Sequence, residues 1–369
     1  MGGPVTAVRV VVIGGAGNFG ARICRRLAQE QGIEVIATSR RESRDADTAR
    51  RFVMLDRTAP QFEEALRALR PDVVIHCAGP YQGQDYRVAH ASLACAAHYL
   101  DLADARDFVA NFASSNDARA LAAGRAAISG ASTLPALSSA VVDDLARGFA
   151  RIDEIDIAIA PAQRSPRGSA TMSAVLGYAG RPFTWLEDGA WRTVYGWQAL
   201  RRVRFPFGTR TAAACDVPDL ALLSMRYPGV RSVRLRAALE LSIEHYALAC
   251  LAGARRIGMP LRIEPLAPWL DRLAVALDRF GSDCGGMSVS VTGYRASGER
   301  RRATWYIVAR DNHGPEIPCM AAILLTCKLA SGETIDAGAR ACIGMLTLAE
   351  FEPEFARWNM STSVDEMGA

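Results

Sequence analysis

The chain has 369 residues, of which 50% are hydrophobic and 22% are charged, a balance typical of a globular protein with two or three domains. Its net charge of +4 is mild for this length, which argues against a nucleic-acid-binding protein. Lys328 is the only lysine. This excludes a P-loop, and a lysine-dependent catalytic mechanism would have to use Lys328.

The nine cysteines include no C-x-x-C pair, and several, such as Cys77 and Cys250, lie within apolar runs. We therefore expect buried free thiols in a reducing cytoplasm. The N-terminal apolar run is too short for a signal peptide, and no apolar stretch reaches the ~20 residues that span a bilayer. No cluster has metal-ligand spacing. The sequence predicts a cytoplasmic protein with no metal site and no membrane association.

A glycine-rich turn organises the N-terminal region. The apolar run Val10 to Ile13 enters it, and Gly15, Gly17 and Gly20 match the G-x-G-x-x-G spacing of a dinucleotide-binding loop. The first glycine allows the turn, the second lets the backbone approach a pyrophosphate, and the third lets the helix pack on the strand. Asn18 and Phe19 are predicted to bind the cofactor with these glycines, and the N–H groups at the helix start would face the phosphates.

The second predicted strand, Glu34 to Thr38, ends in Ser39, Arg40 and Arg41. NAD-binding folds place an Asp or Glu near this position to hold the ribose hydroxyls. A hydroxyl and two guanidinium groups would instead bind a 2′-phosphate. We therefore predict NADP(H) rather than NAD(H) as the cofactor.

Two further strands add candidates for the cofactor site. Phe52 to Asp56 is predicted as a strand whose last residue, Asp56, reaches the adenine side of the cofactor or caps a loop. Val73 to Cys77 is largely apolar, as expected of a strand covered on both faces. It leads into Ala78, Gly79 and Pro80, which we expect beside the ribose and nicotinamide, since ligands bind beyond the carboxyl ends of such strands.

Tyr81 follows this loop, and Asp101 and Asp104 lie near the end of a fifth strand, His98 to Leu102. These three residues are the catalytic candidates, with loop packing and helix capping as the alternative. A sixth strand, Ala126 to Gly130, completes a regular alternation of strands and helices. The pattern predicts an α/β fold with a Rossmann-type, doubly wound parallel sheet.

The second half of the chain mixes strands and helices. Ile155 to Ile159 has isoleucine at every second position, as in a half-buried strand. The stretches 286–295 and 301–310 are predicted as a hairpin. In its first strand Ser288, Ser290 and Thr292 alternate with apolar residues, which predicts one covered and one solvated face. Such a sheet suits a homodimer interface. The apolar helix from Ile317 to Ala330 is expected to pack on the nucleotide domain.

The ordered set GGAGNFG, VVIHCAGPYQGQDYRVAHASL, HYLDLAD and SGASTLPALSSAVVDDL resembles the saccharopine dehydrogenase-like NADP-binding oxidoreductases. The resemblance implies a Rossmann domain over residues 1–148 and an α+β substrate and dimerisation domain with a mixed or antiparallel sheet over 149–313. It implies a C-terminal helical segment, 314–369, that returns to the first domain. It does not imply saccharopine as the substrate.

The sequence thus predicts an NADP(H)-dependent oxidoreductase that transfers hydride to or from an imine, carbonyl or enoyl group of a small or lipid-like substrate. The Tyr-x-x-x-Lys pair of short-chain dehydrogenases is excluded, because Leu324 precedes Lys328 by four residues. A non-catalytic NADP-binding redox sensor is the alternative. A structural dimer with a vestigial nucleotide site is the third hypothesis.

Overall fold

The computed structural model describes residues 7–41, 51–166, 168–260 and 266–368. The first part of the chain alternates strands and helices, which in order are β1 (Val8–Ile13), α1 (Asn18–Leu27), β2 (Ile33–Ser39), β3 (Arg51–Met54), α2 (Phe62–Ala68), β4 (Val73–His76), α3 (Arg87–Ala94), β5 (His98–Asp101), α4 (Arg106–Ala110), α5 (Phe112–Ala123) and β6 (Ala126–Ser129).

The chain then leaves this pattern and forms longer strands and hairpins. Its elements are α6 (Ser138–Ala146), β7 (Arg151–Ala160), α7 (Ser169–Tyr178), β8 (Pro182–Glu187), β9 (Ala190–Tyr195), β10 (Arg201–Phe205), β11 (Gly208–Ala214), α8 (Asp219–Arg226), β12 (Ser232–Ala238), α9 (Ser242–Arg256), α10 (Ala267–Leu277), β13 (Gly285–Tyr294), β14 (Arg300–Ala309), α11 (Ile317–Ala330), β15 (Gly338–Ala341), α12 (Leu348–Arg357) and β16 (Ser361–Gly368).

The chain divides into two compact units, each built from two segments. The first unit comprises Met1–Ala136 and Glu316–Cys342, and the second comprises Leu137–Pro315 and Ile343–Ala369. This differs from the expected return of residues 314–369 as one helical segment. Residues after Cys342 lie in the second unit, where β16 pairs antiparallel with β14.

The first unit contains a parallel sheet in the order β15-β6-β5-β4-β1-β2-β3 among the described residues. Every pairing along this path is parallel. β1 is central because its apolar run is buried, with Val10, Val11 and Val12 fully inaccessible to solvent. The order confirms the predicted doubly wound Rossmann-type sheet.

The second unit contains a mixed sheet whose main path is β10-β11-β12-β7-β13-β14-β16 among the described residues. β7 pairs parallel with β12 and antiparallel with β13. β13 and β14 form the predicted hairpin. β8 joins the same sheet through β12 and pairs with β9.

The prediction that one face of β13 is exposed to solvent is wrong. Ser288, Ser290 and Thr292 are 4 to 5% exposed. Ala158 pairs directly with Ser288 and therefore shares its face. Ala158 packs in a cluster with Phe205 at the end of β10, so the β10–β11 hairpin covers this side of the sheet.

The prediction of buried cysteines fails at Cys250, which is exposed on α9, although all nine cysteines are free. It follows the exposed Tyr246 by one helical turn and shares its solvent side. Within the described residues, none of the helices is both long enough and apolar enough to cross a membrane.

Candidate functional site

Close backbone packing shapes the turn between β1 and α1. A Cβ at Gly20 would lie 2.2 Å from the carbonyl oxygen of Gly14, and one at Gly15 would lie 2.9 Å from Ala37 on β2. Contacts this short exclude any side chain at either glycine. Gly17 is exposed, and its N–H donates to the Gly14 carbonyl at 2.9 Å. The turn thus presents bare backbone to solvent beside the helix start.

Gly14 is a residue of this turn that the sequence interpretation missed. Its φ of +81° is a backbone conformation that favours glycine. A Cβ there would lie 3.1 Å from the backbone nitrogen of Ala78. Gly14 therefore brings the loop after β4 against the turn after β1. The doubled glycine in the motif was the available signal.

The N-terminus of α1 provides unshielded N–H groups. Gly17 is its N-cap, no side chain caps it, and its first turn contains no acidic residue. The first hydrogen bond within the helix runs from the N–H of Ala21 to the carbonyl of Gly17. The N–H groups before Ala21 and the helix dipole favour an anion here. Asn18, Phe19 and Gly20 lie at this helix start.

An ion pair links α1 to the start of α11. The guanidinium of Arg22 contacts the carboxylate of Glu316, which immediately precedes α11. The Glu316 side chain is 3% exposed. Arg22 also donates to the side-chain oxygen of Asn18 at 3.4 Å. Nothing in the local sequence indicated this pair, because its partners lie 294 positions apart.

The loop after β4 is held by Gln84. Its amide nitrogen donates to the carbonyl oxygens of Ala78 at 2.9 Å and Pro80 at 2.5 Å. The Gly79–Pro80 peptide bond is cis. The predicted cofactor contacts Ala78, Gly79 and Pro80 thus form one ordered loop beside the glycine turn. The sequence interpretation did not single out Gln84.

Tyr81 is buried beneath this loop, with 5% of its surface exposed. Its hydroxyl donates to the carbonyl of His76 at 2.6 Å and accepts from the N–H of Leu102 at 3.3 Å. Burial raises its pKa well above the usual value, and the nearby carboxylate of Asp101 raises it further. The hydroxyl therefore links the ends of β4 and β5 and stays protonated.

Asp101 is fully buried at the end of β5. One of its carboxylate oxygens accepts hydrogen bonds from the Gly130 N–H at 2.8 Å, from the Ala103 N–H at 2.9 Å and from the Ser129 hydroxyl at 2.9 Å. Burial raises the pKa of Asp101 and these donors partly offset the increase, so that the pKa lies at about 6. The carboxylate joins the ends of β5 and β6.

Asp104 differs from the other two catalytic candidates because it is exposed. The surrounding protein still partly desolvates its carboxylate, which raises the pKa, while hydrogen bonds from its own backbone N–H and from the Gln82 side chain oppose this shift. A carboxyl group with a raised pKa and access to solvent is suited to proton transfer.

Ser39, Arg40 and Arg41 lie together at the end of β2. Both arginines are exposed, and the N–H of Arg41 donates to the hydroxyl of Ser39 at 3.4 Å. Asp56 accepts from the N–H and hydroxyl of Thr58 at 2.9 and 2.7 Å. These hydrogen bonds lower the pKa of Asp56, and the charge of Arg40 lowers it further. The structure thus places the predicted adenine and 2′-phosphate contacts close together.

His76 closes β4 in a buried position, and its Nδ1 lies 3.2 Å from the hydroxyl of Tyr99. Burial lowers its pKa to about 3, so the ring is neutral near pH 7. Among the described residues no group of three or more His, Cys, Asp or Glu side chains is arranged to hold a metal ion.

Comparison with known proteins gives a match to a family model and to solved structures. Residues 10–131 match the model of the NAD dependent epimerase/dehydratase family, and this stretch lies within the first unit. No curated protein gives a significant match.

Two solved structures resemble nearly the whole chain. Saccharopine dehydrogenase (L-Glu forming) from Saccharomyces cerevisiae has a TM-score of 0.71 at 12% identity, over 98% of this chain and 100% of its own. Homospermidine synthase from Legionella pneumophila, solved in complex with NAD, has a TM-score of 0.62 at 9% identity, over 98% of this chain and 92% of its own. The predicted resemblance is therefore confirmed at the level of fold: this chain has the fold of saccharopine dehydrogenase.

Proposed function

We propose that the protein is an oxidoreductase that uses a nicotinamide dinucleotide, with NADP(H) preferred over NAD(H). The observation that carries the proposal is the turn after β1, where close contacts at Gly15 and Gly20 leave bare backbone at the uncapped N-terminus of α1. The pyrophosphate would lie at this terminus, where N–H groups and the helix dipole favour its charge. The loop of Ala78, Gly79 and Pro80 would approach the nicotinamide end.

The preference for NADP(H) rests on the end of β2. Arg40 and Arg41 are exposed, and their side chains form no hydrogen bond with the described residues. These two guanidinium groups and the Ser39 hydroxyl would bind a 2′-phosphate by charge-assisted hydrogen bonds. Asp56 is held by Thr58 in the next strand's loop, where it would face the adenine.

The bound dinucleotide would supply or accept the hydride at an imine, carbonyl or enoyl group of a small substrate. The reaction also needs a group that exchanges a proton with the substrate. Asp104 suits this role better than Tyr81 or Asp101, because its carboxylate is exposed and the other two are engaged inside the fold. We therefore propose Asp104 as the proton-transfer residue.

The buried positions of Tyr81 and Asp101 also support a second candidate function. Two of the three residues expected to act in catalysis instead join strand ends. A non-catalytic NADP-binding sensor would need the same nucleotide site and no proton donor. The two functions differ in substrate turnover, which the enzyme shows and the sensor lacks.

Calorimetric titration of NADPH and NADH into the full chain tests the cofactor assignment. We expect the R40A/R41A double variant to weaken NADPH binding by about tenfold or more, because two charge-assisted contacts are lost, and to leave NADH binding unchanged. R25A is the matched control, since Arg25 is exposed on α1. Equal affinity for both nucleotides in the parent protein would contradict the NADP(H) preference.

Nicotinamide absorbance with a panel of imine, carbonyl and enoyl compounds then tests catalysis. For any compound that the parent protein turns over, the D104N variant should lose most of the turnover rate and keep its affinity for NADPH. NADPH binding without turnover across the panel would favour the sensor.

A further inference from the structure

The second unit contains a cavity of about 300 Å³, formed by β10, β11, the end of β12 and the start of α9. Its lining includes Arg202, Arg210, Glu240, Ser242 and His245. All belong to the second unit, so the cavity is distinct from the glycine turn of the first unit. Its wall is mainly polar, which distinguishes it from an apolar ligand pocket.

His245 is the buried polar residue of this cavity wall, with no solvent-exposed surface. Its Nδ1 accepts a hydrogen bond from the N–H of Leu239 at 3.3 Å. This contact fixes the ring proton on Nε2. Nε2 has no hydrogen-bond partner among the described residues. A buried donor without an acceptor is unfavourable in a folded protein, unless a bound molecule supplies the acceptor.

The cavity also contains the N-terminus of α9, a helix of 15 residues. No side chain caps this end. The first hydrogen bond within the helix runs from the His245 N–H to the Leu241 carbonyl. The preceding N–H groups at Ser242 and Ile243 therefore have no acceptor within the helix and add to its positive end.

The charges of the wall favour an anion. Glu240 is already neutralised, because it pairs with Arg210 at 3.0 Å and accepts from the Gln163 N–H at 2.8 Å. Arg202 is exposed, and its guanidinium makes no ion pair or hydrogen bond with the described residues. Among the described residues that line it, the cavity thus combines the unpaired cation of Arg202, a helix N-terminus and a buried N–H donor, and the Glu240 carboxylate is already paired.

We propose that this cavity is a binding site for an oxyanion, either a carboxylate group or a phosphate, held by Arg202, the Nε2–H of His245 and the N–H groups that open α9. The site requires no nucleotide, so its binding is measured on the full chain without one. If no anion binds, the cofactor proposal is unaffected, and if no nucleotide binds, the anion-site proposal is unaffected.

The structure supplies a matched pair of variants at Ser242, the first residue of α9. Proline is tolerated at this helix position, and its ring removes the N–H donor. Leu241 has φ of −81° and ψ of 119°, the extended conformation that a following proline requires. S242P therefore removes one anion contact without breaking the helix, while S242A removes the hydroxyl and keeps the N–H.

A second pair tests the charge. R202Q removes the uncommitted guanidinium, and R192Q is the control because Arg192 is exposed on β9 and does not line the cavity. Acetate and inorganic phosphate are titrated separately at constant ionic strength. Binding is followed by calorimetry and by the ¹⁵N resonance of His245 Nε2, assigned with H245N.

We expect one of the two anions to bind and to shift the His245 Nε2 resonance. R202Q should weaken binding by about tenfold, as expected for one charge-assisted contact, and S242P by severalfold, whereas S242A and R192Q match the parent. Absence of binding by both anions would overturn the proposal. Binding that S242P leaves unchanged, or that leaves the His245 resonance unmoved, would also overturn it, since the anion would then lie elsewhere on the surface.

Discussion

The hydroxyl of Tyr81 donates a 2.6 Å hydrogen bond to the carbonyl oxygen of His76, and this contact joins the loop after β4 to its own strand. The Y81F variant should therefore lose about 1–3 kcal/mol of unfolding free energy, because a buried carbonyl and the Leu102 N–H lose a partner. Urea unfolding measures this loss. Y246F is the control, since Tyr246 is 49% exposed. Unchanged stability combined with lost turnover would instead show that Tyr81 is catalytic.

The buried carboxyl of Asp101 should make stability depend on pH. Its pKa is raised from 3.8 to about 6 by burial, so the folded state binds this proton more tightly than the unfolded state does. The contribution is fully present below pH 3.8 and is lost as the pH rises through 6. The difference between the two pKa values corresponds to ~3 kcal/mol.

Urea unfolding of the parent and D101N between pH 4 and pH 7 tests this dependence. We expect the parent to lose ~2.4 kcal/mol relative to D101N over this range, since the amide does not titrate. His76 acts in the opposite direction, because burial lowers its pKa to about 3, but it is common to both proteins and cancels. D85N, at an exposed carboxylate, should follow the parent. Parallel curves for the parent and D101N would contradict the prediction.

Two glycines in helices should respond in opposite ways to alanine. At Gly20 the new Cβ would lie 2.2 Å from the Gly14 carbonyl oxygen, whereas at Gly177 on α7 it meets nothing within 4 Å. G20A should cost about 1–3 kcal/mol of stability and weaken nucleotide binding. G177A should gain up to about 1 kcal/mol from helix propensity and leave binding unchanged. Thermal unfolding and NADPH titration measure both effects; equal responses would show that Gly20 is not tightly packed.

The Arg22–Glu316 ion pair should contribute more than a surface pair. R22A leaves a carboxylate that is 3% exposed without its cation, which costs about 3–5 kcal/mol. The R22M/E316Q double variant should recover most of this loss because neither partner is then charged. R67A, which breaks the exposed pair with Glu63, should cost under about 1 kcal/mol. Urea unfolding of R22M, E316Q and R22M/E316Q completes a double-mutant cycle that gives the coupling, and additive effects would contradict it.

The first unit was predictable because its signals are local. β1, β4 and the glycine turn are contiguous runs, and the sheet order follows from the regular alternation of strands and helices. The loop after β4 was expected beside the cofactor for the same reason. The engagement of Tyr81 with His76 could not be predicted, since the side of the loop to which a tyrosine turns depends on packing.

The second unit was less predictable because its contacts are distant in sequence. Ser290 was predicted to face solvent, yet its hydroxyl lies 2.9 Å from that of Thr304 in a buried pair. When the hydrogen-bond partner of a polar side chain lies on another strand, the sequence of its own strand does not show that the side chain is buried. Likewise β16, whose eight residues are all exposed, has no apolar pattern, and its pairing with β14 defines it.

The division of the first unit into Met1–Ala136 and Glu316–Cys342 has a consequence for synthesis on the ribosome. α11 and the edge strand β15 emerge after the whole of Leu137–Pro315, and domains generally fold as units during translation. The nascent nucleotide-binding unit must therefore wait, with the α11-facing side of α1 uncovered, until about 180 further residues have been made, which takes roughly 10–40 s at 5–20 residues per second. A fragment that ends at Ala136 would keep the same surface exposed permanently.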